Sequence, residues 1–348
     1  MTTMNVQKTP WEAVNGVLLL NKPRGLTSQQ ALFRVRRRLR AAKAGHGGTL
    51  DPLADGLLML CFGAATKFAQ RHLEADKRYV AVLQLGERTT TDDAEGEIVE
   101  RRAVQVSRSL VDAVLPRFIG AISQTPPVYS ALKRDGKPLY AYARAGETVE
   151  VAARTVQIHS MDVLSLQNDQ LALAVHCGKG TYIRALARDI GEALGCGAHL
   201  AALTRTASGG FSLEQALTLD EAEALASADL RSRLLPTDVL LQSSPRQNLD
   251  LALAQRFLHG ARLSGLAPDE PVVPGEDVRV YGPLAAGQDA VLLGIGAWEQ
   301  GAESVVLSPR RLLCSDELAP ARTFAIPPPI SQPRTESLPE SLHQEARP

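Results

Sequence analysis

No apolar run in the chain approaches the roughly 20 residues needed to cross a bilayer. The first residues, MTTMNVQKTPWEAVNG, lack the charged-then-apolar pattern of a signal peptide, so a soluble cytoplasmic protein is expected. Cysteine is scarce: Cys61, Cys177, Cys196 and Cys314 stand far apart with no C-x-x-C pair, which argues against a zinc site and a disulfide framework. The seven histidines form no H-x-x-x-H pair and have no carboxylate at ligand spacing, so no metal is predicted. Net charge is missing too, with 38 basic residues balancing 38 acidic ones, and overall electrostatics therefore names no anionic partner. No internal repeat is found.

One local absence is informative. Between Glu12 and Asp51 there is no acidic residue, whereas Lys22, Arg24, Arg34, Arg36, Arg37, Arg38, Arg40 and Lys43 all fall in that window. Such a concentration makes either a phosphate-attracting surface or an ordinary solvated helix face.

The 348 residues, 45% of them hydrophobic, are enough for about two domains. Gly16 to Asn21 reads as a buried strand entering a Pro-Gly turn. The segment TSQQALFRVRRRLR then has a capping box at Thr27 and Gln30, with Leu32, Val35 and Leu39 on one face and the arginines on the others. RYVAVLQLG, TVQIHSMDVLSL and QLALAVHCG read as strands. TYIRALARDIGEALG reads as a helix with Ile183, Leu186, Ala187, Ile190 and Leu194 buried, Thr181 as N-cap and Gly195 as terminator. Strands and helices mix without a βαβ rhythm, which predicts an α+β fold. Beyond about residue 245 the pieces PVVPG, DVRVYG, AVLLGIGA and SVVLSPRRLL alternate with turns, as in a small β-rich domain, and a proline-rich tail follows Cys314. The expected organisation is a flexible 1–12, a main domain 13–245, a β-rich domain 250–314 and a disordered tail 315–348.

The glycine-rich stretch GHGGTLDPLADGLL places Asp51 between a flexible turn and an apolar strand. It lacks the Lys-Ser/Thr pair of a phosphate loop and the strand-loop-helix order of a dinucleotide fingerprint. Ser130 and Lys133 have S-x-x-K spacing, but no S-D-N or K-T-G element accompanies them. A carboxylate in an apolar mouth protonates unless a cation holds it ionised. Arg184, off the apolar stripe of its helix, is the candidate partner, able to pair with a carboxylate through two parallel hydrogen bonds. The alternative for Asp51 is a turn-capping aspartate.

The stretches LLLNKPRGLTS, GHGGTLDPLADGLL, KRYVAVLQLGERTTTDDAEG, PPVYSALKRDGKPLYAYARAG and GKGTYIRALARDIG together resemble the bacterial tRNA pseudouridine synthases that modify uridine 55 in the T loop. The resemblance runs from about Gly16 to Phe211, and the β-rich domain is similar to the PUA-like module that ends many members. It implies a mixed, mainly antiparallel catalytic sheet and a cofactor-free isomerisation of uridine. The substrate would be the T stem-loop of tRNA, and the enzyme a monomer with no obligatory protein partner. It implies Asp51 as the catalytic aspartate, with Arg184 and Tyr182 beside it. Tyr79 would stack on the target base, His46 would lie next to the flipped nucleotide, Lys22 and Pro23 would stand behind the site, and Leu203 would form a pocket wall. Arg34, Arg37, Arg38 and Arg205 are expected on the RNA backbone. Thr204 stands where members often have another arginine, so a phosphate contact is expected to be lost there. The carboxylate could act as a nucleophile or as a base at the sugar's C2′. Other readings of the same groove are a non-catalytic tRNA-binding protein, a guide-RNA-dependent synthase and a nucleoside-cleaving glycosidase.

Overall fold

The computed structural model describes residues 10–129, 133, 134, 136–138, 142, 147, 151–301 and 304–318. Ser130 and the expected tail beyond Leu318 lie outside the described residues. In chain order, β1 (Gly16–Lys22), β2 (Ala44–His46), β3 (Asp55–Phe62) and β4 (Lys77–Leu85) precede a hairpin of β5 (Glu87–Thr89) and β6 (Ile98–Arg101). β7 (Gly120–Gln124) leads to a short hairpin of β8 (Lys133–Arg134) and β9 (Lys137–Pro138), and then to β10 (Arg154–Gln167), β11 (Gln170–Cys177) and β12 (Ala198–Ser208). β13 (Phe211–Ser212) and β14 (Leu217–Thr218) complete a ten-stranded sheet of order β14-β1-β3-β12-β4-β11-β10-β7, with β13 on β12 and β2 on β3. Among the described residues only the β1/β14 and β3/β12 pairs in this sheet are parallel. The fold is therefore the α+β, mainly antiparallel architecture that the sequence implies.

The central strands are apolar on both faces because both are covered, and period-2 alternation divides their side chains between two cores. Leu18 and Leu20 of β1 and Leu58, Leu60 and Phe62 of β3 pack into the larger core with Leu32, Val35 and Leu39 of the basic helix. Val17, Leu19, Leu57, Met59 and Cys61 point the other way, onto Tyr281, Leu292, Ile295 and Leu313. Each such leucine, fully buried, contributes about 1.5–3 kcal/mol.

The helix Ser28–Leu39 starts at Thr27, with the expected capping box formed with Gln30, and ends at Arg40 in the left-handed region at φ 54°. The helix Ile183–Ala193 buries the predicted stripe, but its N-cap is Tyr182, not Thr181. The Thr181 hydroxyl is turned back to the Gly178 carbonyl at 3.0 Å and cannot cap the helix.

The second sheet has the order β15-β16-β17-β18, built from Arg246–Asn248, Asp277–Gly282, Val291–Gln300 and Val305–Leu312. PVVPG is not a strand, because its two prolines remove ladder donors. LALAQRFL forms a helix, Leu251–Leu258, capped by Asp250. Ordered contacts also begin earlier than expected: Glu12 is bonded to Arg40 and Ala42 through its backbone. They end later, since Lys67 pairs with Glu317 at 2.5 Å. Among the described residues no helix is long and apolar enough to cross a membrane.

Candidate active site

Asp51 sits in a loop whose backbone is fixed residue by residue. Arg205 Nη2 and Nη1 donate to the carbonyls of Gly48 and Thr49 at 3.2 and 3.4 Å, and its Nε donates to that of Leu57 at 2.7 Å. Ser28 clamps Leu50 from both sides: its hydroxyl donates to the Leu50 carbonyl at 3.0 Å and accepts from the Leu50 N–H at 2.8 Å. The Asp51 carbonyl accepts from Ala54 N–H at 3.1 Å. Behind this loop the turn after β1 is tied in as well, with Gly25 N–H donating to the Pro52 carbonyl at 2.8 Å. Gly56 is required where β3 meets β12: its φ is +97°, and a Cβ there would lie 2.4 Å from the Arg205 carbonyl oxygen.

The Asp51 side chain keeps 41% of its surface and meets Arg184, whose side chain keeps 7%, with Nε 3.0 Å from Oδ2. The contact is an end-on ion pair rather than the predicted two-point fork, because the rest of the guanidinium is engaged elsewhere. Nη1 donates to the Thr91 carbonyl at 3.2 Å and lies 3.3 Å from Asp93 Oδ2, and Nη2 donates to the Tyr129 carbonyl at 2.8 Å. Desolvation therefore wins at Asp51: its pKa is raised above the ordinary carboxylate range by burial, against the pull of Arg184 and Lys22 and with Asp93 adding to the rise.

Asp93 was not singled out from the sequence. It is 2% exposed. It is set by an isolated bridge to Leu200 and by hydrogen bonds from the Thr91 hydroxyl at 2.5 Å and the Glu95 N–H at 3.1 Å. Its signal was the acidic pair in the quoted stretch TTTDDAEG; which of the two acids turns inward is a matter of fold. Gln124 of β7 was also missed. Its amide accepts from Tyr182 N–H at 2.9 Å and donates to the Tyr182 carbonyl at 3.1 Å, holding the start of the helix that presents Arg184.

Lys22 is fully buried and donates to the carbonyls of Pro23 and Leu26 at 2.8 and 2.7 Å. Burial brings its pKa down to about 8, while Asp55 and Asp51 support its charge. From there its charge acts on Asp51 through space. Pro23 is exposed in the same turn. Tyr79 on β4 lies opposite Arg205, part-buried against the larger core, and burial raises its hydroxyl pKa with Arg205 opposing and Asp51 adding to the rise. His46 Nδ1 is buried without a partner, and burial, then Arg205, lowers the ring's pKa. Leu203 is buried beside Ala81. Tyr182 is turned away, its ring stacked under the Arg154 guanidinium at 4.9 Å.

The four arginines expected on the RNA backbone are placed differently from one another. Arg205 is 2% exposed, and its guanidinium is spent inside the fold, on the Gly48 and Thr49 carbonyls of the Asp51 loop, on Leu57 of β3 and on Tyr79. Thr204 is also buried and hydrogen-bonds Asp55. Arg34 pairs with Glu223, and Arg38 donates to the Leu225 carbonyl at 2.7 Å. Both contact the segment after β14 while staying exposed, and Arg37 is exposed beside them.

Residues 36–183 match the profile of the TruB family pseudouridylate synthase N-terminal domain, and residues 184–242 that of the tRNA pseudouridylate synthase B C-terminal domain. The chain is 54% identical over 316 residues to the tRNA pseudouridine synthase B of Ralstonia pickettii, covering 88% of this chain and 96% of the relative. It is 52% identical over 316 residues to that of Burkholderia mallei, covering 90% and 99%. Among solved structures, a Cbf5-Nop10-Gar1 complex superposes with a TM-score of 0.65 at 26% identity, covering 89% of this chain and 88% of that one. The archaeal box H/ACA sRNP Nop10-Cbf5 complex, at TM-score 0.63 and 24% identity over 88% of each chain, shares the fold. The chain thus belongs to the TruB family of pseudouridylate synthases.

Proposed function

We propose that the protein isomerises uridine 55 in the T loop of tRNA to pseudouridine, acting in the cytoplasm as a monomer without an obligatory protein partner or cofactor. The observation that carries this reading is the carboxylate of Asp51 at the mouth, held by the buried Arg184 guanidinium within electrostatic reach of Tyr79. The reaction breaks the bond from N1 of uracil to C1′, turns the base and forms the C5–C1′ bond; the C5 hydrogen leaves to solvent as a proton and N1 takes one up. Asp51 acts in its ionised form, either adding to the substrate or taking the C2′ proton. Extruding the base costs a few kcal/mol, and stacking on Tyr79 returns about 1–3 kcal/mol. His46 and Leu203 border the flipped base, and Tyr182 lines the approach once released from Arg154. Phosphate contacts fall to Arg37 and to the four-stranded module, read as PUA-like.

Tritium release from tRNA transcript labelled at C5 of uridine tests this with the lone protein. One equivalent per tRNA is expected from the wild type and none from Asp51→Asn, with the product mapped to position 55. No release from folded, tRNA-binding wild type would replace this reading with a non-catalytic one. A requirement for a guide RNA would place the protein with the particle-bound synthases.

A further inference from the structure

Close to the strand ends that support Tyr79 and Arg184 lies a cluster of side chains that the proposed reaction does not use. Asp76 directly precedes β4, His159 lies on β10 and His176 is the penultimate residue of β11. Their ligand atoms all lie within 4.8 Å of one another. His159 Nε2 is 3.2 Å and His176 Nε2 3.8 Å from Asp76 Oδ2, and the two imidazole rings are 4.5 Å apart.

The fold builds this arrangement across strands, which is why spacing along the chain could not reveal it. On β10 the buried positions run Val156, Ile158 and then Met161, so the alternation slips by one residue at His159 and Ser160. The ladder is irregular at the same place, with Ile158 opposite Cys177 and Ser160 opposite His176. Such a bulge sets two residues against one and re-aims a side chain, here bringing His159 beside His176. The Asp76 carbonyl is held by Gly209 N–H at 2.8 Å.

Zinc binds imidazole nitrogen and carboxylate oxygen at about 2.0–2.2 Å, so neighbouring ligands of a tetrahedral site stand about 3.3 Å apart. The two observed separations lie near that value. Two imidazoles favour zinc, nickel or copper over magnesium or calcium.

We propose that Asp76, His159 and His176 form a binding site for one divalent transition-metal ion of the zinc class. The ion ties the ends of β4, β10 and β11 together, and a water completes its coordination. Its role is structural: it clamps the strand that carries Tyr79 to the strand that leads to Arg184. The proposal is independent of the catalytic reading, because binding itself is measured.

The experiment titrates chelator-stripped, full-length protein with Zn2+ by calorimetry and with Co2+ by absorption, beside Asp76→Asn, His159→Gln and His176→Gln. One ion per chain is expected, with affinity at least about tenfold weaker in each variant. The Co2+ spectrum should lack thiolate charge-transfer bands, which separates this site from the exposed Cys314. Zn2+ should raise the melting temperature of the wild type alone. Absence of saturable Zn2+ binding, or binding retained in all three variants, overturns the proposal. Asp76→Asn is isosteric at an exposed position, so a metal-free melting temperature equal to wild type shows that its lost affinity is loss of a ligand.

Discussion

At Asp51 a desolvated carboxylate and a cation shared with Asp93 oppose each other, and the balance raises the acid's pKa. In the proposed reaction the ionised form acts, so turnover is expected to fall as pH drops through that raised value, above the range of a free aspartate. Lys22 pulls in the other direction. In Lys22→Met the single-turnover acid limb is expected to move to higher pH, with the plateau rate changed less than the position of the limb. Superimposable pH profiles would rule out electrostatic support from Lys22. The wild-type lysine loses its own charge near pH 8. Arg205 carries a different lesson at this scale. Its identity was readable, but its direction was not, because its partners lie 148 to 157 positions away in sequence.

The helix that presents Arg184 has no side-chain cap of its own, and the β7 amide of Gln124 takes that place by bonding both backbone groups of Tyr182. Gln124→Ala leaves those groups without their partner at a site where Gln124 is 1% exposed, costing about 1–3 kcal/mol of stability. The turnover number is expected to fall more than tRNA affinity, and a loss confined to affinity would contradict this account. Elements with strong local signals were legible: the capping box, the 3.6-residue stripe and the alternating strands all appear where the pattern placed them. So was the loop that carries Asp51. Ser28, Asp93 and Gln124 were not, since each acts through partners distant in the chain that leave no period to read. Ser28, for example, reaches 22 residues ahead to Leu50. The short helix after Asp250 was hidden because its LALA start is equally apolar under strand and helix periods.

For the whole molecule, the two faces of β1 and β3 make the second sheet part of the fold and not an appendage. Val17, Leu19, Leu57 and Met59 are covered by Tyr281, Leu292, Ile295 and Leu313, and Arg71 joins Ser244 and Asp277 across the same boundary. A chain ending at residue 243 exposes that apolar face, so most of its soluble yield is expected to be lost. The full chain should unfold in one calorimetric transition. A soluble, monomeric truncation melting like the parent would show the modules to be separable. Charge at the centre is closely matched: the Arg184 guanidinium and the Lys22 ammonium stand against the carboxylates of Asp51 and Asp93. An uncharged ring entering there would meet no large net field, whereas a phosphate would have to draw Arg184 away from an acid that is 2% exposed.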